Sequence, residues 1–489
     1  MRAHRLRVVT TTHLGEVPTL NEVLCEFQRA LLLGSEDERS PGRFLSRNLR
    51  DSSPQPSRTR SLHALLSADT LRGLSSSADT TGGRPIEEVL VTEREDWQDG
   101  PPHELFKQLR HECPVHWTPR ISEYPEEAGY WSITTADDVH TVSRDWQTYS
   151  SETGGITALT NAIMPLELIQ AMFIGMDPPK HDRLKALFQR GFTPKRIAEH
   201  EGTIRDITVR TLDGLQGQAG CDLVTDVAQP VVSRVIGSFM GIPPEDDRIW
   251  AELMNTTLGA GDPDLNPAGV ESVMQRDVPE IFERCRALIS ERRERPTDDL
   301  TSVLVHAEVD GERLEEHEIV MGFFLLMAAG NDSTKATYCS AMRALMENPD
   351  QRRLLLDDPS LVSSTVEEAL RMFPAFAHFR RTATCDTKLN GKTIREGDKV
   401  VMWYVSSNRD ETRYEDPDSF DVTRNPEHQA FGAGGRHFCL GTALARLELN
   451  ILIEETLARY PAMELAGQPL YAESPFINQL KTLPVRLAA

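Results

Sequence analysis

No stretch of this 489-residue chain approaches the roughly 18 consecutive apolar residues of a membrane-spanning helix. The longest candidate, 319–329, reads as a buried core helix. Cations are outnumbered, with 53 Lys+Arg against 75 Asp+Glu and a net charge of −22. Phosphate contacts need clustered cations, so nucleic acid is excluded as a partner class. The seven cysteines (25, 113, 221, 285, 339, 385 and 439) are odd in number and scattered, with no CxxC or CxxxxH cluster. That pattern supports neither a zinc site nor a disulfide framework. The opening Met-Arg-Ala-His-Arg-Leu-Arg has no apolar signal-peptide core behind it. The expectation is a cytoplasmic monomer with no membrane attachment.

Residues 1–86 contain no Lys, 12 Arg and 9 acidic residues, a net charge of +3 that leaves −25 for the remainder. From 35 to 84 the composition is Ser, Arg, Thr, Asp, Gly and Pro with few aromatics, which predicts disorder. Segments 20–33 and 62–74 could form transient helices. We read 1–86 as a disordered N-terminal extension or an over-extended start, with a functional arm as the alternative. Residues 87–489 form the globular domain. Within it, 129–135 alternates like a strand. Helical periodicity covers 183–191, 196–215, 222–240, 278–294 and 315–347. Two β-rich patches span 380–393 and 399–404. A loop at 407–435, long enough to suggest a site, leads to a final helix at 440–460.

That loop ends in Phe431-Gly-Ala-Gly-Gly-Arg-His-Phe-Cys439-Leu-Gly-Thr-Ala-Leu-Ala-Arg446. Glycines let a backbone take φ > 0 and approach a flat ligand closely. Cys439 falls just before a helix, where free N–H groups and the helix dipole favour a thiolate, and Arg436 and His437 add positive charge. By itself this would also suit a buried cysteine in a glycine-rich turn. A phosphate loop is less apt, because no Gly-Lys-Ser/Thr follows.

Three further constellations stand in order before it. Ala329-Gly-Asn-Asp332-Ser333-Thr334 sits inside a long apolar helix, where Gly330 costs about 1 kcal/mol relative to Ala. Glu368-Ala-Leu-Arg371 places opposite charges three apart, as helix-surface neighbours. Met176-Asp-Pro-Pro-Lys-His181-Asp-Arg-Leu-Lys185 puts His181 and Lys185 on one helix face. Taken together, 95–489 strongly resembles the cytochrome P-450 family. The spacing from Phe431 to Cys439 is one residue longer than the commonest form, and so resembles bacterial members acting on steroid, terpenoid and alkyl chains.

The resemblance implies a mainly α fold with smaller β-sheets, the triangular prism that holds haem b between a long central helix and the cysteine loop. It implies Cys439 as the thiolate ligand of iron. His181, Lys185, Arg381 and His437 would meet the haem propionates, Lys185 replacing a more usual Arg and losing bidentate binding. Glu368, Arg371 and Arg424 would lock the cysteine loop, with bidentate hydrogen bonds from both arginines satisfying the carboxylate. Asp332 and Ser333 would pass protons to dioxygen. Ser333 stands where the family usually has Thr, so its rotamer is less fixed and some peroxide release is expected. Met327, Ala328, Phe376, Phe476 and Ile477, with 156–174 and 375–379, would line a pocket for a small apolar substrate.

A thiolate ligand favours O–O cleavage by iron, so the implied activity is a monooxygenase using O2. The chain has no flavin or iron–sulfur motif of its own. Two electrons are therefore expected from a ferredoxin and its NAD(P)H-dependent reductase, docked on Lys180, Arg183, Lys185, Arg436 and Arg446. A peroxide-driven peroxygenase and a non-catalytic haem sensor or carrier are the competing readings. The Asp332–Ser333 pair argues against the first, and the apolar pocket against the second.

Overall fold

The computed structural model describes residues 84–158, 165–259, 262, 264–309 and 311–487. The expectations for 20–33, 62–74 and most of the N-terminal extension lie outside these residues, as does part of 156–174. Arg84 is ion-paired to Asp96 at 2.8 Å, and a short 3-10 turn spans Ile86–Glu88. Ile86 packs against the cluster that holds Val89, Trp97 and Phe106.

The elements that position the site are, in order, α1 (His103–Glu112), β1 (Val115–Thr118), β2 (Tyr130–Ile133), α2 (Ala136–Arg144) and β3 (Tyr149–Ser150). Next come α3 (Lys180–Gln189), α4 (Glu201–Asp213), α5 (Gln229–Met240), α6 (Asp247–Leu258) and α7 (Val278–Glu294). The last group is α8 (Glu316–Glu347), α9 (Val362–Met372), β4 (His378–Ala383), β5 (Lys399–Trp403) and α10 (Thr442–Arg459).

α8, at 32 residues and about 48 Å, is the axis. A capping box fixes its start, Glu315 accepting from the Glu318 N–H while Glu318 returns to the Glu315 N–H. From Ile319 to Met327 every residue is buried, so α8 is apolar all round, and α5, α6, α7, α9 and α10 pack about it. Gly322 allows α3 to approach, since a Cβ there would fall 1.9 Å from Phe188 Cζ. Gly330 does the same for α5: a Cβ would meet Ile236 Cδ1 at 2.9 Å. This close approach offsets the helix-propensity cost of that glycine.

The main sheet runs β1-β2-β5-β4-β3, antiparallel except for the β2/β5 pair. It packs on α1 through Trp97, Phe106 and Trp403, whose rings lie 5.1–6.3 Å apart. A smaller antiparallel sheet joins Gly220–Asp222, Pro484–Arg486 and Glu464–Leu465. Helical segment 196–215 breaks at His200 into Pro194–Glu199 and α4, and segment 222–240 opens with a wide π turn at Leu223–Ala228 before α5. Sequence reasoning missed α1, α2 and α6, whose short amphipathic patterns are broken by polar residues. Among the described residues, no helix is long and apolar enough to cross a membrane.

Candidate active site

Cys439 lies three residues before α10, and its N–H donates to the Phe431 carbonyl at 2.9 Å, closing the loop on itself. The turn needs Gly435: its φ is +81°, and a Cβ would press on the Ser143 carbonyl oxygen at 2.7 Å. Ser143, on α2, also donates to the Gly434 carbonyl. The Cys439 side chain opens into a cavity between this loop and α8. Enclosure by protein pushes its thiol up from the ordinary value, while the Gly441 N–H and the charges of Lys185 and Arg446 pull it down.

The facing wall of the cavity is α8, through Leu325, Leu326, Ala329, Gly330, Ser333 and Thr334. Ser333 donates to the Ala329 carbonyl at 2.7 Å. Asp332 does not reach this wall, contrary to the expected acid–alcohol pair. Each helical residue turns about 100°, which swings Asp332 towards α5 and α6. There it is fully buried, with Oδ1 accepting from Lys335 Nζ at 2.7 Å and from Asn331. Lys335 also donates to Gln229 and Asn255, while Asp332 Oδ2 is buried without a hydrogen-bond partner.

The same turn corrects the substrate expectation on α8. Met327 and Ala328 are absent from the described lining, and their neighbours Leu325, Leu326 and Ala329 face the cavity instead. Phe173, Ile174, Ile236, Ala375, Phe376 and Phe379 complete an apolar upper wall. Phe476 and Ile477 line a separate recess with Tyr124 and His378. Phe476 backs the cavity indirectly, 5.3 Å from the Phe376 ring and 5.7 Å from Phe379. Ile477 is bridged to Phe376.

His181, Lys185, Arg381 and His437 all border the cavity. The two imidazoles lie 4.2 Å apart. Burial pushes both down from the usual histidine value, and for His437 the neighbouring Arg381, His181 and Lys185 push further the same way. Arg381, on β4, is buried and donates to the Arg380 carbonyl. The Lys185 ammonium donates to the carbonyls of Arg436 and Phe438, either side of His437. It thereby braces the cysteine loop.

Two adjacent carboxylates of α9 hold the loop from opposite sides. Glu368, fully buried, takes both Nε and Nη2 of Arg371 at 2.7 Å. Arg371 reaches on to the carbonyls of Asn408 and Pro417. Arg424 joins as a 3.2 Å ion pair, but not by the bidentate bond expected, because its Nη atoms go to the carbonyls of Glu415 and Asp416. Sequence reasoning overlooked Glu367, which binds Arg446 on α10 at 2.6 and 2.8 Å and His428 in the loop at 3.1 Å. The doubled Glu367-Glu368 was the available signal. It also missed Glu448, a buried acid on the cavity wall. There the signal was a lone Glu in the i, i+4, i+8 row of Leu444 and Leu452.

The cations expected to dock an electron donor are mostly paired. Lys180 meets Glu152, Arg183 meets Glu312 and Glu318, Arg436 meets Asp182, and Arg446 meets Glu367, all within 3.1 Å.

Among the described residues, no group of three or more His, Cys, Asp or Glu could hold a metal ion. A metal at Cys439 would therefore have one protein ligand and must bring the rest itself, as a macrocycle does. A slot with one thiol, an apolar roof, and the buried Arg381 guanidinium and two imidazoles at its edge fits a flat iron porphyrin with anionic side arms.

The cytochrome P450 family model matches residues 270–473. The methyl-branched lipid omega-hydroxylase of Mycobacterium tuberculosis is 37% identical over 432 residues, covering 84% of this chain and 99% of the relative. Linalool 8-monooxygenase of Pseudomonas putida is 31% identical, covering 79% and 95%. A Mycobacterium marinum cytochrome P450 in complex with pseudoionone superposes with a TM-score of 0.77 at 34% identity, covering 83% of this chain and all of that one. A cysteine loop braced by Glu368 under a central helix, matched along nearly the full length of such relatives, has one reading: the chain belongs to the cytochrome P450 family and is a haem b monooxygenase.

Proposed function

We propose that this enzyme hydroxylates a flexible, apolar, branched alkyl or isoprenoid chain, using O2 and two electrons from a ferredoxin and its NAD(P)H-dependent reductase. Cys439 would hold the iron; His181, Arg381 and His437 would meet the propionates; Lys185 would brace the loop. The bound haem supplies O–O cleavage and insertion of one oxygen atom into a C–H bond, the other leaving as water.

The observation that carries the substrate class is the upper wall of Phe173, Ile174, Ile236, Leu325, Leu326 and Phe376. It offers dispersion contacts and almost no fixed polar anchor, so it selects by shape. The relatives named for methyl-branched lipids and linalool carry chains of this kind in their names. Ser333 lines the cavity and would relay protons there. Glu368 and Arg371 keep the loop rigid, so the ligand sulphur does not drift during turnover.

The test is the low-to-high-spin shift of the ferric enzyme on titration with methyl-branched fatty acids, acyclic terpenes and rigid sterols. Micromolar shifts with the first two, and mass-spectrometric oxygenation near the chain end, are expected. Tight shifts with sterols alone would overturn the proposal.

A further inference from the structure

We propose that Glu367, by neutralising Arg446, sets the electron-donor strength of the Cys439 thiolate and so holds the haem reduction potential down; this rests on Cys439 as the iron ligand. Two cations act on the Cys439 sulphur, Lys185 and Arg446. The Lys185 ammonium bonds the Arg436 and Phe438 carbonyls, which carry no net charge, and so remains a full positive charge beside the loop. Arg446, on α10, differs: its Nε and Nη2 donate to the two Glu367 oxygens at 2.6 and 2.8 Å. The pairing leaves one bare cation acting on the sulphur instead of two. The Glu367 side chain is 18% exposed and that of Arg446 38%, so solvent screens the pair only in part.

The same carboxylate frames the residue that anchors the cysteine. The Arg446 guanidinium lies over the Phe431 ring, 4.8 Å from its centroid. His428 Nδ1 accepts from the Ala430 N–H at 3.2 Å, so Nε2 holds the proton and donates to Glu367 at 3.1 Å. The His428 ring lies 5.6 Å from that of Phe431. The Phe431 carbonyl in turn accepts the Cys439 N–H at 2.9 Å. Glu367 thus reaches Cys439 by charge, through Arg446, and by position, through Phe431. Adding an electron to a haem makes the iron–sulphur unit more negative. A bare cation nearby favours that reduced state, and a cation paired to a carboxylate does so much less. An uncompensated Arg446 would also draw electron density from the sulphur, weakening the donation that favours O–O cleavage. Glu367 is therefore a positioning residue: it makes the enzyme harder to reduce and its thiolate a stronger donor. Its neighbour Glu368 is committed to Arg371.

The experiment is a potentiometric titration of the ferric–ferrous couple in the haem-loaded full chain, with a chemical reductant and mediators, so that no protein donor takes part. Glu367→Gln keeps the size of the side chain and strands the Arg446 charge, so the potential should rise. Arg446→Gln strands the Glu367 charge instead, so the potential should fall. The double variant carries neither charge and should return towards wild type, and Arg446→Lys, which keeps the cation, should stay near it. A pair that only braced the loop would move both single variants in one direction and the double variant further still; that result would overturn the proposal. Should Glu367→Gln not hold haem, Arg446→Gln against Arg446→Lys carries the test, and equal potentials or a rise in Arg446→Gln would overturn it. The reduced carbon monoxide spectrum reports separately on the thiolate. Absence of its red-shifted band in the wild type would remove Cys439 as the ligand, whereas potentials indifferent to these charges with the band intact would overturn the tuning alone.

Discussion

Ser333 keeps its hydroxyl on its own helix, donating to the Ala329 carbonyl at 2.7 Å, and nothing on Cβ restrains it from rotating away. A threonine at this position would have a methyl that narrows the choice among three staggered wells, worth about a factor of three in population. Ser333→Thr should therefore lower peroxide released per product by about that factor, with the spin-state titration unchanged. Equal peroxide release would mean the serine rotamer is not what limits coupling. Cys439, Glu368 and Arg371 were legible in the sequence because each lies in a local spacing with a direct geometric meaning. Asp332, Met327 and Ala328 were not placed correctly. On a helix buried all round, composition gives no sign of which flank meets a cavity and which meets α5 and α6. Lys185 was legible as a cation near the loop, but its bonds to the Arg436 and Phe438 carbonyls depend on how α3 docks.

At the scale of elements, α9 is a two-sided clamp. Glu368 looks back through Arg371 to the carbonyls of the 407–435 loop, and Glu367 looks forward to Arg446 on α10 and His428. Removing one partner of a buried pair leaves an uncompensated charge and costs about 3–5 kcal/mol. Glu368→Gln, which strands Arg371, should lose that much in urea unfolding and should release haem more readily; a loss under 1 kcal/mol would deny the clamp its role. Glu367 behaves differently with pH. Burial pushes its carboxyl up, but the bonds from Arg446 and His428 win and hold it at about 2, below the ordinary 4.5 of a glutamate. A depressed folded value gives stability that is full above about pH 4.5 and is lost as pH falls through about 2. The stability gap between wild type and Glu367→Gln should thus be flat near neutrality, at most about 3 kcal/mol, and should close between pH 4.5 and 2. A gap that widened on acidification would contradict this linkage. The sequence showed α9 as a helix, yet only the crossing of α9 and α10 reveals that its two adjacent acids serve different neighbours.

For the whole molecule, charge sets how an electron donor arrives. The chain carries −22, and a ferredoxin of the expected kind is acidic too. A steering patch would have to overcome that repulsion, yet Lys180, Arg183, Arg436 and Arg446 each face a carboxylate. Paired charges project a dipole that fades quickly with distance, whereas the net charge acts until salt screens it, over about 30 Å at 0.01 M and about 8 Å at 0.15 M. Repulsion of the net charges should therefore dominate the approach at low salt, and short-range contact with the loop face should decide docking at physiological salt. The rate of first-electron transfer from an acidic ferredoxin, followed by stopped-flow formation of the ferrous carbon monoxide complex, should rise from 0.01 M to about 0.15 M salt. A cationic patch that steered the donor would give the opposite trend, a steep fall over the same range. Arg436→Gln tests the loop face: it removes a cation and frees Asp182, taking the net charge from −22 to −23, so it should slow docking at low salt and by a smaller factor at about 0.15 M, where the added charge is screened. No slowing at either salt would show that the loop face is not where the donor docks.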